Sequence, residues 1–105
     1  MSAARRRATT PRTYRQDEHR GWGNSIQWST PPREVRVGPL RRRKVVGRMV
    51  GWLPRKPRVG DLIITPMESG RDAIFRVDEV ENAPNVSDMF WANVTFTHYT
   101  DEENA

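Results

Sequence analysis

Hydrophobic and polar positions fall into two regimes along the chain. Over residues 72–80 they alternate. Ala73, Phe75 and Val77 project to one side, and Ile74, Arg76, Asp78 and Val80 to the other, which is the period-two pattern of a strand. Residues 89–98 repeat it, with Phe90, Ala92, Val94 and Phe96 against Trp91, Asn93, Thr95 and Thr97. Residues 45–53 are β-branched and aromatic and too rich in glycine for a helix. There Val46, Val50 and Trp52 share one face, interrupted by Arg48, and Trp52 is expected in or just beneath the core. Pro54 and Pro57 end that strand, because neither can donate to a ladder. A turn at Val59, Gly60 and Asp61 leads into a short buried strand over residues 62–65. Glu68, Ser69, Gly70 and Arg71 make a hairpin turn with Gly70 free to take positive φ, and residues 81–88 read as a loop. These short strands predict an all-β fold: a small antiparallel barrel, SH3-like or OB-like, over residues 44–99.

Before Lys44 the pattern fails. Apolar residues are sparse, arginine and proline frequent, and no helical period emerges, so residues 1–43 are expected to be an extended Arg-rich arm. Only two stretches, residues 26–28 and 35–37, alternate well enough to pair as edge strands. Residues 100–105 form an acidic C-terminal tail, expected to fray. A body this small buries only about 60% of its unfolded surface, so the arm, a second copy or a larger assembly is expected to complete its core.

Charge sharpens the division. Residues 1–58 carry a net +13 and residues 59–105 a net −8, within a chain of 105 residues and overall charge +5. Arginine outnumbers lysine 16 to 2. A guanidinium binds phosphate through a planar fork and stacks on bases, so this excess suits nucleic acid. It suits an acidic protein surface too, and a GC-rich genome raises arginine through codon usage alone. The candidate contacts are Arg5, Arg6, Arg7, Arg12, Arg15 and Arg20 along the arm, then Arg41, Arg42, Arg43 and Lys44 where it meets the body. Arg48, Arg55, Lys56 and Arg58 are expected to extend the positive surface. Among the tryptophans, Trp22 and Trp28 are candidates to pin the arm, and Trp91, facing away from Phe90 and Phe96, is the candidate interface residue.

Other classes lack their parts. With no cysteine there is no disulfide, thiolate metal site or thiol nucleophile. No apolar run approaches the ~18 residues of a membrane span, and no apolar stretch follows the basic start as in a secretory signal. His19 and His98 lie far apart, no serine sits in a nucleophile elbow, and phosphate-loop glycine patterns are missing. Asp61, Glu68, Asp72 and Asp78 offer carboxylates for a metal, but Asp72 and Asp78 share a face with Arg76, which favours charge pairing instead. The expectation is a non-enzymatic protein with neither cofactor nor metal.

The body carries one resemblance. Residues 52–62, the stretches Met67-Glu68-Ser69-Gly70 and Phe75-Arg76-Val77, and residues 88–92 resemble small uncharacterised proteins encoded by phages of high-GC actinobacteria. The likeness spans residues 52–99. It implies a phage-type origin, with host cytoplasm or virion as the location, and brings no catalytic residues. Three roles follow as expectations: binding of nucleic acid or a nucleoprotein assembly through the arm, a structural place in a phage particle with the arm threaded over neighbouring subunits, or inhibition of a host protein. A homo-oligomer or larger assembly is compatible with each, and no membrane partner is expected.

Overall fold

The alternation at residues 72–80 and 89–98 builds the two central strands of a single sheet. The structure, a computed structural model, describes residues 11–21, 24–85 and 88–104. Its strands are β1 (Thr13–Arg15), β2 (Arg20–Gly21), β3 (Asn24–Val37), β4 (Arg42–Trp52), β5 (Leu62–Pro66), β6 (Asp72–Asn82) and β7 (Met89–Tyr99). They lie in the order β1-β5-β6-β7-β4-β3-β2, with every pairing antiparallel except β1 with β5. Short 3₁₀ turns span Gln16–Glu18 and Thr100–Asn104. Among the described residues no helix is long and apolar enough to cross a membrane.

The sheet is mixed and open, since no ladder among the described residues joins β1 to β2. It is nevertheless strongly curled. Six strand spacings of about 4.8 Å would separate its edges by about 29 Å if it were flat. The chain runs from Arg15 at one edge to Arg20 at the other in five steps, at most about 18 Å. Residues 12–21 therefore act as a strap between the two edges. Leu62 N–H donates to the Arg12 carbonyl (2.8 Å) at one end, and at the other Ile26 N–H donates to the His19 carbonyl (3.2 Å). Gln16 Nε2 donates to the Ile26 carbonyl across the gap (3.1 Å).

The core lies inside the curl. Ile26, Met49, Ile63, Phe75, Val77, Phe90, Ala92 and Val94 are buried together with Leu53 and Ala73. The Trp28 ring meets Phe75 edge-on with centroids 5.1 Å apart, although β7 and β4 lie between their strands. The inward face of β4 reads Gly47, Met49, Gly51. A Cβ on Gly47 would fall 2.5 Å from Trp28 Cζ3, and one on Gly51 2.6 Å from Phe90 Cζ and 2.8 Å from the Ser25 carbonyl oxygen. Glycine is what lets these aromatic rings reach the strand backbone. Val46, Val50 and Trp52 thus point outward and are half-buried, which corrects the expected placement of Trp52 in the core.

Two further expectations are corrected. No structural break falls at residues 43/44: β3 lies wholly before that boundary and places Ile26 and Trp28 against the core. Residues 26–28 and 35–37 are strand, as expected, but as parts of this one long strand along β4 rather than as two separate edge strands. The buried Asp61 carboxylate ties the strap down, accepting the backbone N–H groups of Arg12 (3.0 Å) and Arg58 (2.8 Å). The tail is likewise held. Over Thr100–Asn104, Asp101 accepts two hydrogen bonds from Arg71 (3.0 and 2.8 Å), whose guanidinium lies 3.7 Å from the Tyr99 ring centre.

That attachment has a pH signature. The hydrogen bond from Arg71 is the main cause holding the Asp101 carboxyl below the ordinary carboxylate range. A carboxyl lowered on folding adds stability above its unfolded pKa and loses it as pH falls through the lowered value. The protection of the amides of residues 100–104, taken as their exchange rate relative to that of the unfolded chain at the same pH, should hold from about pH 8 to about pH 5 and fall as pH drops through the lowered Asp101 value. Arg71→Gln should remove that step.

Candidate functional site

The basic region is organised by a change of neighbours along β3 and β4. The β4–β7 ladder reaches only as far as Val46, opposite Thr95. Beyond it, residues 33–46 continue as a two-stranded hairpin in which Arg33 faces Val46, Val35 faces Lys44 and Val37 faces Arg42. The β3 register shifts between Trp28 and Arg33, around Pro31 and Pro32. Prolines cannot donate to a ladder, so the strand bulges there, and a bulge bends its strand. The result is a ribbon leaving the body at its foot. From Val46 to Arg42 it advances about 14 Å before the turn.

The turn is tight. Arg41 N–H donates to the Gly38 carbonyl at 3.0 Å, with Gly38 at φ +77° and Arg41 at φ +51°. Arg41 is the one non-glycine positive-φ residue described, in a region that costs a side-chain-bearing residue about 1–2 kcal/mol.

Both faces of the ribbon are basic. Along one face run Arg33, Arg42 and Lys44 with Val35 and Val37; the other carries Glu34, Arg36, Arg43 and Val45. Arg36 and Arg43 stand directly opposite each other, and like charges so placed repel. Only Arg43 finds a carboxylate, Glu34 at 3.9 Å, with both side chains more than half exposed. Among the described residues no carboxylate forms an ion pair with Arg33, Arg36, Arg41, Arg42 or Lys44.

Four arginines of the body behave differently, although Arg12, Arg55, Lys56 and Arg58 form no ion pair among the described residues. Arg15 pairs with Asp72 (2.9 Å) and Asp17 (3.5 Å), and the Asp72 hydrogen bond is the main cause raising its pKa. Arg48 pairs with Glu81 (2.8 Å), Arg71 with Asp101 (2.8 Å) and Arg76 with Asp78 (2.9 Å). Asp78 also accepts from the Thr95 hydroxyl. Of the carboxylates weighed as metal ligands, Asp61 holds backbone amides, while Asp72 and Asp78 are engaged with arginines.

Arg41, Arg42, Arg43 and Lys44 therefore come together with Arg36 on the outer part of the ribbon, and Arg33 adds a cation at its foot opposite Val46; reading the sequence alone singles out neither Arg33 nor Arg36. The signal is present in the sequence: basic and β-branched residues mirror each other across Pro39-Leu40, which is a hairpin pattern. Arg12 and Arg15 are in the strap, and the backbone of Arg20 is in β2. Arg55, Lys56 and Arg58 follow the far end of β4, about 34 Å along that strand from Arg42, so they extend a different surface. Arg48 lies beyond the ribbon's foot, 5.9 Å from the Trp91 ring centre and hydrogen-bonded to Asn93 (3.2 Å). A groove of about 320 Å³ opens there between Arg33, Val46, Arg48, Asp78 and Asn93. Trp91 is half-buried on the outward face opposite Val50, whereas Trp28 packs inward on Phe75. Arg5, Arg6, Arg7 and Trp22 lie outside the described residues. Comparisons with protein-family models, with curated proteins and with solved structures each find no match.

Proposed function

We propose that this protein is a non-enzymatic nucleic-acid-binding module whose contact is the β3–β4 ribbon rather than a flexible arm. In this reading the curled sheet is a small roll of the SH3-like or OB-like kind, and its role is to hold the ribbon out. The observation that carries it is the contrast in pairing. Arg15, Arg48, Arg71 and Arg76 on the body sit on carboxylates, whereas five cations gathered on one hairpin have no such partner and two of its arginines face each other. Cations left together at a repulsive cost are best satisfied by a polyanion with closely spaced charges, and β-ribbons enter either groove of duplex DNA. A phage particle is the setting that the resemblance over residues 52–99 suggests.

The test is a salt titration on a fluorescent duplex. Six ribbon cations each meeting a phosphate give a slope of log K against log salt near about −5, and about a thousandfold loss of affinity from 50 to 200 mM. A slope near zero, or retention on intact phage particles at high salt without nucleic-acid binding, overturns the reading.

A further inference from the structure

The ribbon's tip is apolar although Arg36, Arg41, Arg42 and Arg43 surround it. Among the described residues three large hydrophobic side chains are exposed, and two of them, Val37 (39%) and Leu40 (78%), sit at or beside this one turn. We propose that Pro39 and Leu40 form a wedge that enters the base stack of duplex DNA and kinks it, an inference that rests on the nucleic-acid reading above and adds to it the form of the substrate and what is done to it.

Three features support a wedge over an incidental surface leucine. The first is rigidity: the proline ring restricts φ at position 39, and the Arg41-to-Gly38 hydrogen bond closes the turn behind Leu40. A pre-set tip loses little freedom on insertion. The second is that the strained position holds Arg41, where glycine would adopt the same φ at no steric cost. The chain thereby keeps a guanidinium immediately beside Leu40. The third is the ring of cations. Arg36, Arg42 and Arg43 lie within two strand positions of the turn, placed to hold the phosphates flanking an opened step. Proteins that kink DNA combine these elements: basic side chains on the backbone and an aliphatic or proline side chain between base pairs, favouring easily unstacked pyrimidine–purine steps. Duplex RNA presents a major groove too deep and narrow to admit such a ribbon and a minor groove that is wide and shallow. An anionic lipid surface would need a broader apolar face than one leucine and its neighbouring proline.

The experiment uses the full chain and 30-bp duplexes labelled at both ends for energy transfer. One duplex has a central TA step, one a stiff A-tract and one is RNA, with anionic phosphatidylserine vesicles alongside. Wild-type protein should shorten the end-to-end distance of the TA duplex as a bend of about 20–90° does, and prefer it to the A-tract about tenfold. Leu40→Ser, whose side chain touches no core residue, should unfold at the same temperature. It should bind the TA duplex within about threefold of wild type, yet leave it straight and lose the preference. Leu40→Met should restore the bend. Binding without bending, bending retained by Leu40→Ser, equal bending of RNA, or vesicle binding that alone depends on Leu40 each overturns the wedge while leaving the ribbon as a contact. Absence of any salt-dependent duplex binding removes the underlying reading and the wedge with it.

Discussion

Replacing Arg36, Arg42, Arg43 and Lys44 together by glutamine should weaken duplex binding about a thousandfold at 100 mM salt and make the log–log salt slope shallower by about 3.6. The size follows from counterion release, which assigns about 0.9 of a slope unit to each phosphate no longer neutralised. The same protein should be no less stable than the wild type. Arg36 and Arg43 face each other across the hairpin, and removing one such repulsion returns about 0.2–1 kcal/mol. The exposed contact from Arg43 to Glu34 offers little to lose. Fluorescence anisotropy and thermal melting on one preparation would show both effects. Neutralising Arg55, Lys56 and Arg58, at the far end of β4, is the matched control and should cost less than about tenfold. Equal losses from the two sets would mean that net charge, and not the ribbon, governs binding.

A chain beginning at Lys44 should not fold. Without β3 and the strap, Ile26, Trp28 and Tyr14 no longer cover Met49, Phe75 and Phe90, and β4 loses one of its two ladders. Truncating one large buried side chain commonly costs about 2–5 kcal/mol. Three together approach the ~5–15 kcal/mol that stabilises a whole domain. Urea titration followed by tryptophan fluorescence should show a cooperative transition for the full chain and a shallow drift for residues 44–105. A cooperative transition in the fragment would restore the picture of a separate arm and body.

Why one half of the fold is legible and the other is not has a physical cause. β6 and β7 are covered on one face, so burial imposes alternation, and Phe75, Val77, Phe90 and Val94 announce themselves in sequence. The ribbon has water on both sides. Nothing forces a hydrophobic face on residues 33–37 or 42–44, with Val45 already packed against the core, and arginine-rich strands read as an arm. In β4 the visible valine face is the outer one, because the inner face spends its volume on rings supplied by Trp28 and Phe90 and needs glycine opposite them. The strap is fixed by Asp61, whose partner Arg12 lies 49 residues away, a distance no local pattern encodes. The tail follows the same rule, since Arg71 and Asp101 belong to different turns. For the candidate site, the cluster of Arg41, Arg42, Arg43 and Lys44 is plain in sequence, but its company with Arg33 and Arg36, and its separation from Arg55, Lys56 and Arg58, require the hairpin.

The sheet ends on its two briefest members, Thr13–Arg15 and Arg20–Gly21, successive passes of one strap. Long bare margins invite neighbouring molecules to add on, strand by strand, into fibres, and truncated or charged margins discourage this. Here the strap covers three residues of β5 and two of β3, and the rest of β3's outer side carries Pro31, Pro32, Arg33 and Arg36, residues that discourage a foreign strand from adding on.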